Sequence, residues 1–174
     1  MALLESLSPV AITRPDGSSE ALSGLIVGRN TVLVFIRHFG CIFCREQVLR
    51  FKERLPDISG RGYDVLVIGQ GAPEAARAFV EAAAAPFPVV VDPSLEAFRR
   101  AGLRRSIVGT LLDPRAWVRA LGAIKHGRPG RLLGDPWQNG GVFVLDRAGH
   151  ERFRHISRYA GDHPRLEAVL SAMS

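Results

Sequence analysis

Four short apolar runs punctuate the chain, at residues 31–36, 63–68, 87–91 and 141–146. Each is rich in β-branched and aromatic residues without regular polar alternation, the pattern of strands buried on both faces of a sheet. Between them the period changes. From Cys41 the apolar positions Cys44, Val48, Phe51 and Leu55 fall at helical spacing, while Arg45, Glu46, Arg50, Glu53 and Arg54 lie off that line. A helix with one apolar face is predicted, ended by Pro56. Residues 73–84, rich in Ala and Glu with Pro73 in the first turn, predict a second helix, and Asp92-Pro93-Ser94 opens a third through Arg100.

The remaining segments are weaker signals. Residues 10–13 read as a short strand followed by the turn Pro15-Asp16-Gly17-Ser18, and residues 22–27 form an apolar element of either type. Trp117, Val118, Leu121 and Ile124 predict an amphipathic helix, and residues 127–141, dense in Gly and Pro, a loop. Residues 151–156 read as an edge strand, and residues 162–172 as a closing helix with Asp162 as N-cap and Pro164 in its first turn. Parallel crossovers giving way to an antiparallel hairpin define an α/β class. The arrangement is thioredoxin-like: a central mixed sheet flanked by helices, with a basic helical insertion before the last two strands. At 174 residues and 47% hydrophobic, the chain is expected to form a single domain, 1–174.

Candidate chemistry concentrates at one junction. The only two cysteines stand as Cys41-Ile42-Phe43-Cys44, directly after the first buried run and at the start of the first helix. A helix beginning near Cys41 leaves its sulfur beside unpaired backbone N–H groups and turns Cys44 toward the packed face. Cys41 is the expected attacking thiol, its ionisation brought below the free value of about 8.5, and Cys44 the resolving partner. Arg37, His38 and Arg45 are the nearest candidate cations, and His38 either stabilises the thiolate or caps the turn. A lone Cys-x-x-Cys is also half of a zinc site, and two packed thiols can be inert. No second Cys-x-x-Cys and no His-x-His pair exists at finger spacing. Neither metal nor cofactor is expected. His126, His150, His155 and His163 show no ligand spacing and are assigned no chemistry.

Charge adds a second feature. The net charge is +6, and residues 99–131 alone hold eight arginines and Lys125 against Asp113, a balance of +8. This segment reads as a solvated cationic face over a packed stripe, or as a surface for an anionic substrate or acidic partner. Nucleic acid is not an expected partner, because interleaved exposed aromatics are missing. Apolar positions near 111–124 leave room for a homodimer. No run approaches the length of a membrane span, and the N-terminus shows no export signal, so a cytoplasmic location is expected.

Three stretches go further: Phe35-Ile-Arg-His-Phe-Gly-Cys41-Ile-Phe-Cys44-Arg-Glu-Gln47, Gly134-Asp-Pro-Trp-Gln138-Asn-Gly-Gly-Val-Phe-Val-Leu-Asp146 and Ser157-Arg-Tyr-Ala-Gly-Asp-His-Pro164. Together they resemble the peroxiredoxin-like branch of the AhpC/TSA antioxidant superfamily, which includes selenoprotein L-like and prostamide/prostaglandin F synthase-like proteins. The resemblance implies a thioredoxin-like fold in which Cys41 and Cys44 are the redox-active pair. It also implies reduction of peroxides or organic endoperoxides, or disulfide exchange, with a thioredoxin-type protein or a low-molecular-weight thiol as reductant. Typical peroxiredoxins carry Thr or Ser where this chain has His38, Pro where it has Val34, and an arginine near Gly140, where thioredoxins place a cis-proline. Arg37 or Arg158 is the candidate replacement for that guanidinium, with Phe39 and Gln138 as further supporting residues. Arg158 can instead form a local ion pair with Asp162. The alternative from another class is a non-catalytic redox-sensing or partner-binding module that uses the basic segment, and a weaker one is a soft-metal carrier.

Overall fold

The computed structural model describes residues 2–103, 105, 135 and 137–173. Its centre is a seven-stranded sheet. In chain order the strands are β1 (Ala11–Thr13), β2 (Ser19–Ala21), β3 (Thr31–Phe35), β4 (Asp64–Gly69), β5 (Val89–Val91), β6 (Gly141–Leu145) and β7 (Glu151–Ile156), arranged β2-β1-β5-β4-β3-β6-β7. β3 runs parallel to β4 and β4 to β5, whereas β6 lies antiparallel to both β3 and β7. The mixed α/β sheet anticipated from the four apolar runs is therefore present, with β3 at the seam between its parallel and antiparallel parts.

Strand periodicity divides the core into two. Val32, Val34, Val65, Val67, Val89, Val91, Val142 and Val144 face one side, against α3 (Ile42–Glu53), α5 (Pro73–Ala83) and α7 (Leu166–Ser171). Leu33, Phe35, Leu66, Ile68, Val90, Phe143 and Leu145 face the other, against α1 (Leu3–Leu7), α2 (Ser23–Ile26) and α6 (Glu96–Arg100). On that second face Phe35 meets Phe98 and Phe143 edge-on, with centroids 5.1 and 5.7 Å apart. Burial on both faces removes the polar alternation that a one-sided sheet would show.

Several boundaries differ from expectation. Pro56 does not end the first helix: α3 stops at Glu53, and Pro56 sits in the opening turn of α4 (Leu55–Gly60), where a missing N–H costs nothing. The 22–27 element is the short helix α2, while β2 and α1 are additions. Asp92 does open a helix, since its Oδ2 accepts the N–H groups of Ala97 at 2.7 Å and Phe98 at 3.4 Å. Asp162 does not. α7 begins at Leu166 after Arg165, and the Asp162 carboxylate is bonded instead to Arg158. The predicted basic helix around Trp117–Ile124 and most of the 99–131 segment lie outside the described residues. Among the described residues no helix is long and apolar enough to cross a membrane.

Candidate active site

β3 ends at Phe35, and the chain must turn into α3 within a few residues. Ile36 extends the ladder by one bond, its N–H donating to the Ile68 carbonyl at 2.9 Å. Arg37, His38 and Phe39 then fold over the carboxyl ends of β3 and β4, where open α/β sheets place their sites. Phe39 fills the space above Gly69, where a Cβ would come within 2.5 Å of its ring, and its centroid lies 5.4 Å from that of Phe79. Gln70, just past β4, ties the loop down. Its Nε2 donates to the Arg37 carbonyl at 2.5 Å and to the Asp135 carbonyl at 2.8 Å, while its Oε1 accepts the Asp135 N–H at 2.9 Å.

Cys41 is the N-cap of α3, in extended conformation, with its N–H donated to the His38 carbonyl and its carbonyl accepting from Arg45. Cys44 lies in the first turn on the buried side. Both are free thiols, 8% and 2% exposed. The pair is electrostatically split. The Cys44 thiol hydrogen-bonds to the Cys41 sulfur and lowers its pKa to about 7. Burial opposes that shift, and the Cys44 and Phe43 N–H groups at the helix start, with the Arg37 charge, reinforce it. Cys44 moves the other way. Burial, the proton shared with Cys41 and the charge on that neighbour all push its pKa well above the ordinary value. The Arg37 N–H nevertheless donates to the Cys44 sulfur at 3.3 Å.

Arg37 is a buried cation at this site, with Nε donating to the Gln138 carbonyl at 3.2 Å. Burial, and secondarily the Arg37 charge, lowers the pKa of His38 to about 4, so its ring is neutral at pH 7 and it serves the site through its backbone carbonyl. Gln138 also takes part through its main chain. Its side-chain Nε2 turns away to the carbonyls of Leu103 at 3.3 Å and Asn139 at 3.1 Å. Arg158 is held elsewhere: Nε lies 3.0 Å from Asp162 Oδ2, and the side chain is 75% exposed. That is the local ion pair. The position before β6 is closed to any larger residue, because a Cβ on Gly140 would stand 2.3 Å from the Phe35 carbonyl oxygen. Gln70 escaped notice in the sequence, where its only signal is a polar residue between two glycines at the end of a buried strand. Among the described residues no group of three or more His, Cys, Asp or Glu is gathered to hold a metal.

Comparison with known proteins agrees with this architecture. Curated relatives include the chloroplastic thioredoxin-like protein AAED1 of Arabidopsis thaliana, 27% identical, covering 97% of this chain and 71% of the relative. Peroxiredoxin-like 2C of Mus musculus is 27% identical over 97% of this chain and 79% of its own length. Prostamide/prostaglandin F synthase of Salmo salar is 26% identical over 99% of this chain and 90% of its own. The fold is shared with peroxiredoxin Q of Xanthomonas campestris, at a TM-score of 0.67 and 16% identity, covering 97% of this chain and 92% of that one. The family model for AhpC/TSA antioxidant enzymes matches residues 50–159, a span that starts just beyond the thiol pair. With that match covering well over half of its length, the chain belongs to the AhpC/TSA antioxidant enzyme family, among its peroxiredoxin-like members.

Proposed function

We propose that the protein is a thiol-dependent oxidoreductase in which the Cys41 thiolate attacks a peroxide, an organic peroxide or a disulfide, and Cys44 resolves the product. The observation that carries this reading is the split between the two sulfurs. Cys41 caps α3, where its pKa is lowered, while Cys44 is buried in the first turn 3.3 Å from the Arg37 N–H, with its own pKa raised so that it keeps its proton. With a peroxide, the thiolate takes the distal oxygen, the O–O bond breaks, and an alcohol or water leaves after protonation. The sulfenic acid on Cys41 is then attacked by Cys44, forming the disulfide and releasing water. With a disulfide substrate, Cys41 forms a mixed disulfide and Cys44 expels the second thiol. In both cases a thioredoxin-type protein or a low-molecular-weight thiol restores the dithiol. A reducing compartment such as the cytoplasm suits that cycle.

Cys41 and Cys44 belong to the same buried apolar cluster as Phe39 and Phe43, with Ile42 packed against it, which favours a substrate with an organic substituent over a bare hydroperoxide. The similarity to the prostamide/prostaglandin F synthase of Salmo salar points the same way. The test is rapid mixing of fully reduced protein with hydrogen peroxide and with an organic hydroperoxide, quenched at intervals and read by intact mass. The expected result is loss of two hydrogens in the wild type, faster with the organic peroxide. Cys44→Ser should gain one oxygen, and Cys41→Ser should not react. Equal behaviour of both variants and the wild type would defeat the reading.

A further inference from the structure

Resolution requires Cys44 to lose a proton that its surroundings hold tightly. The stage for the thiolate is set, because the Arg37 N–H already points at the Cys44 sulfur from 3.3 Å. What the pair itself does not supply is an acceptor for the proton. His38 is a poor one, since burial beside Arg37 lowers its pKa to about 4.

On the other side of Cys44 lies a cavity of about 10 Å³ whose wall includes Arg37, Phe43, Gln47, Tyr159 and His163. That is room for roughly one water. Gln47 is buried, and its Nε2 finds no acceptor among the described residues, which suits a water in this space. Of the polar side chains on the wall, Arg37 carries a guanidinium, Gln47 an amide and Tyr159 a phenol, and His163 carries the imidazole. Nearby, Asp162 is engaged by Arg158, and His155 places Nε2 3.0 Å from the Asp162 carbonyl. His163 Nε2 stands 3.1 Å from the Phe43 carbonyl oxygen. A carbonyl only accepts, so Nε2 carries the hydrogen, and in the neutral ring the basic lone pair belongs to Nδ1. The ring is partly buried, and its Nδ1 is enclosed within the fold.

We propose that His163 is the proton acceptor for Cys44 during resolution, acting through a water held in this cavity. The inference rests on the dithiol reading above. As the proton passes to His163 Nδ1, the freed electron pair on the Cys44 sulfur forms the S–S bond with Cys41. The bond from Cys41 to its leaving group breaks, and the proton returns to the departing hydroxide or thiolate. The only oxidant consumed is the peroxide or disulfide that first loaded Cys41.

The test uses the full, reduced protein and 5,5′-dithiobis(2-nitrobenzoate), whose coloured thiolate leaves in two phases: first when Cys41 attacks, then when Cys44 closes the disulfide. His163→Gln keeps an amide N–H for the Phe43 carbonyl but has no titrating group. The first phase should keep its rate, and the second should slow by about 10- to 100-fold. The pH profile separates chemistry from structure. Wild-type closure should level off between about pH 6 and 8, whereas closure in H163Q should climb throughout, because only bulk hydroxide then removes the proton. His163→Asn, judged folded by its thermal melt, serves as a second variant with the same readout. Closure at the wild-type rate with an unchanged pH profile in either folded variant overturns the proposal. A wild type lacking the first phase would instead defeat the dithiol reading itself.

Discussion

Gly140 sits against Phe35 so closely that a Cβ at that position would lie 2.3 Å from the Phe35 carbonyl oxygen. The contact joins the end of β3 to the residue before β6, and the Gly140 carbonyl in turn accepts the Ser157 N–H at 3.0 Å. No larger side chain fits at this position, and among the described residues Arg37 supplies positive charge beside Cys41.

Replacing Gly140 by Ala should therefore force β3 and β6 apart at their ends. The expected loss is about 1–3 kcal/mol, the range for overpacking a tight interior. A fall in the urea midpoint at an unchanged slope is the measurement, and a midpoint equal to the wild type would contradict the close approach.

Arg37 and Arg158 make contrasting predictions. Arg37→Met removes the buried charge that favours the Cys41 thiolate and the bond to the Gln138 carbonyl. Alkylation of Cys41 by iodoacetamide at pH 7 should slow by about tenfold, equivalent to ~1.4 kcal/mol. Arg158→Met breaks an exposed ion pair and should change that rate by less than about twofold. The reverse ranking would place the working guanidinium at Arg158.

His38 makes the fold acid-sensitive. Its folded pKa is depressed from 6.5 to about 4, so between those values the unfolded chain binds more protons than the folded one. Stability then rises with pH across that window and is lost as pH falls through it, by on the order of 2–3 kcal/mol. Urea unfolding at pH 7 and pH 4.5 should show the drop in the wild type and a smaller one in His38→Gln. Parallel behaviour of the two proteins would assign the acid sensitivity to other groups.

The legible parts of this molecule are those written in local spacing. The buried strands stand out because Val32, Val34, Val65, Val67 and their neighbours are apolar on both faces, and the thiols because Cys41 and Cys44 share one helical turn. β2 was not visible, since Ser19-Glu20-Ala21 has no apolar run and is held by pairing with β1 across the turn at Gly17. Asp162 looked like a helix cap because Pro164 follows it, yet the Arg158 N–H and guanidinium take up its carboxylate. Partners far apart in the chain leave no such trace. Gln70 and Asp135 meet across 65 positions, and His163 reaches Phe43 across 120. Side chains whose roles depend on such meetings are chosen by the folded geometry and not by any periodicity.

Arg105 and Gln138 form an isolated antiparallel bridge, and the Arg105 guanidinium pairs with Asp135 at 2.5 Å. The chain thus leaves the sheet and returns to it at one gate, closed by Gln70 on the thiol side. The Arg105–Asp135 pair and the two Gln70 bonds form one relay, so a substitution at Arg105 or Asp135 is felt at the Arg37 carbonyl beside the thiols.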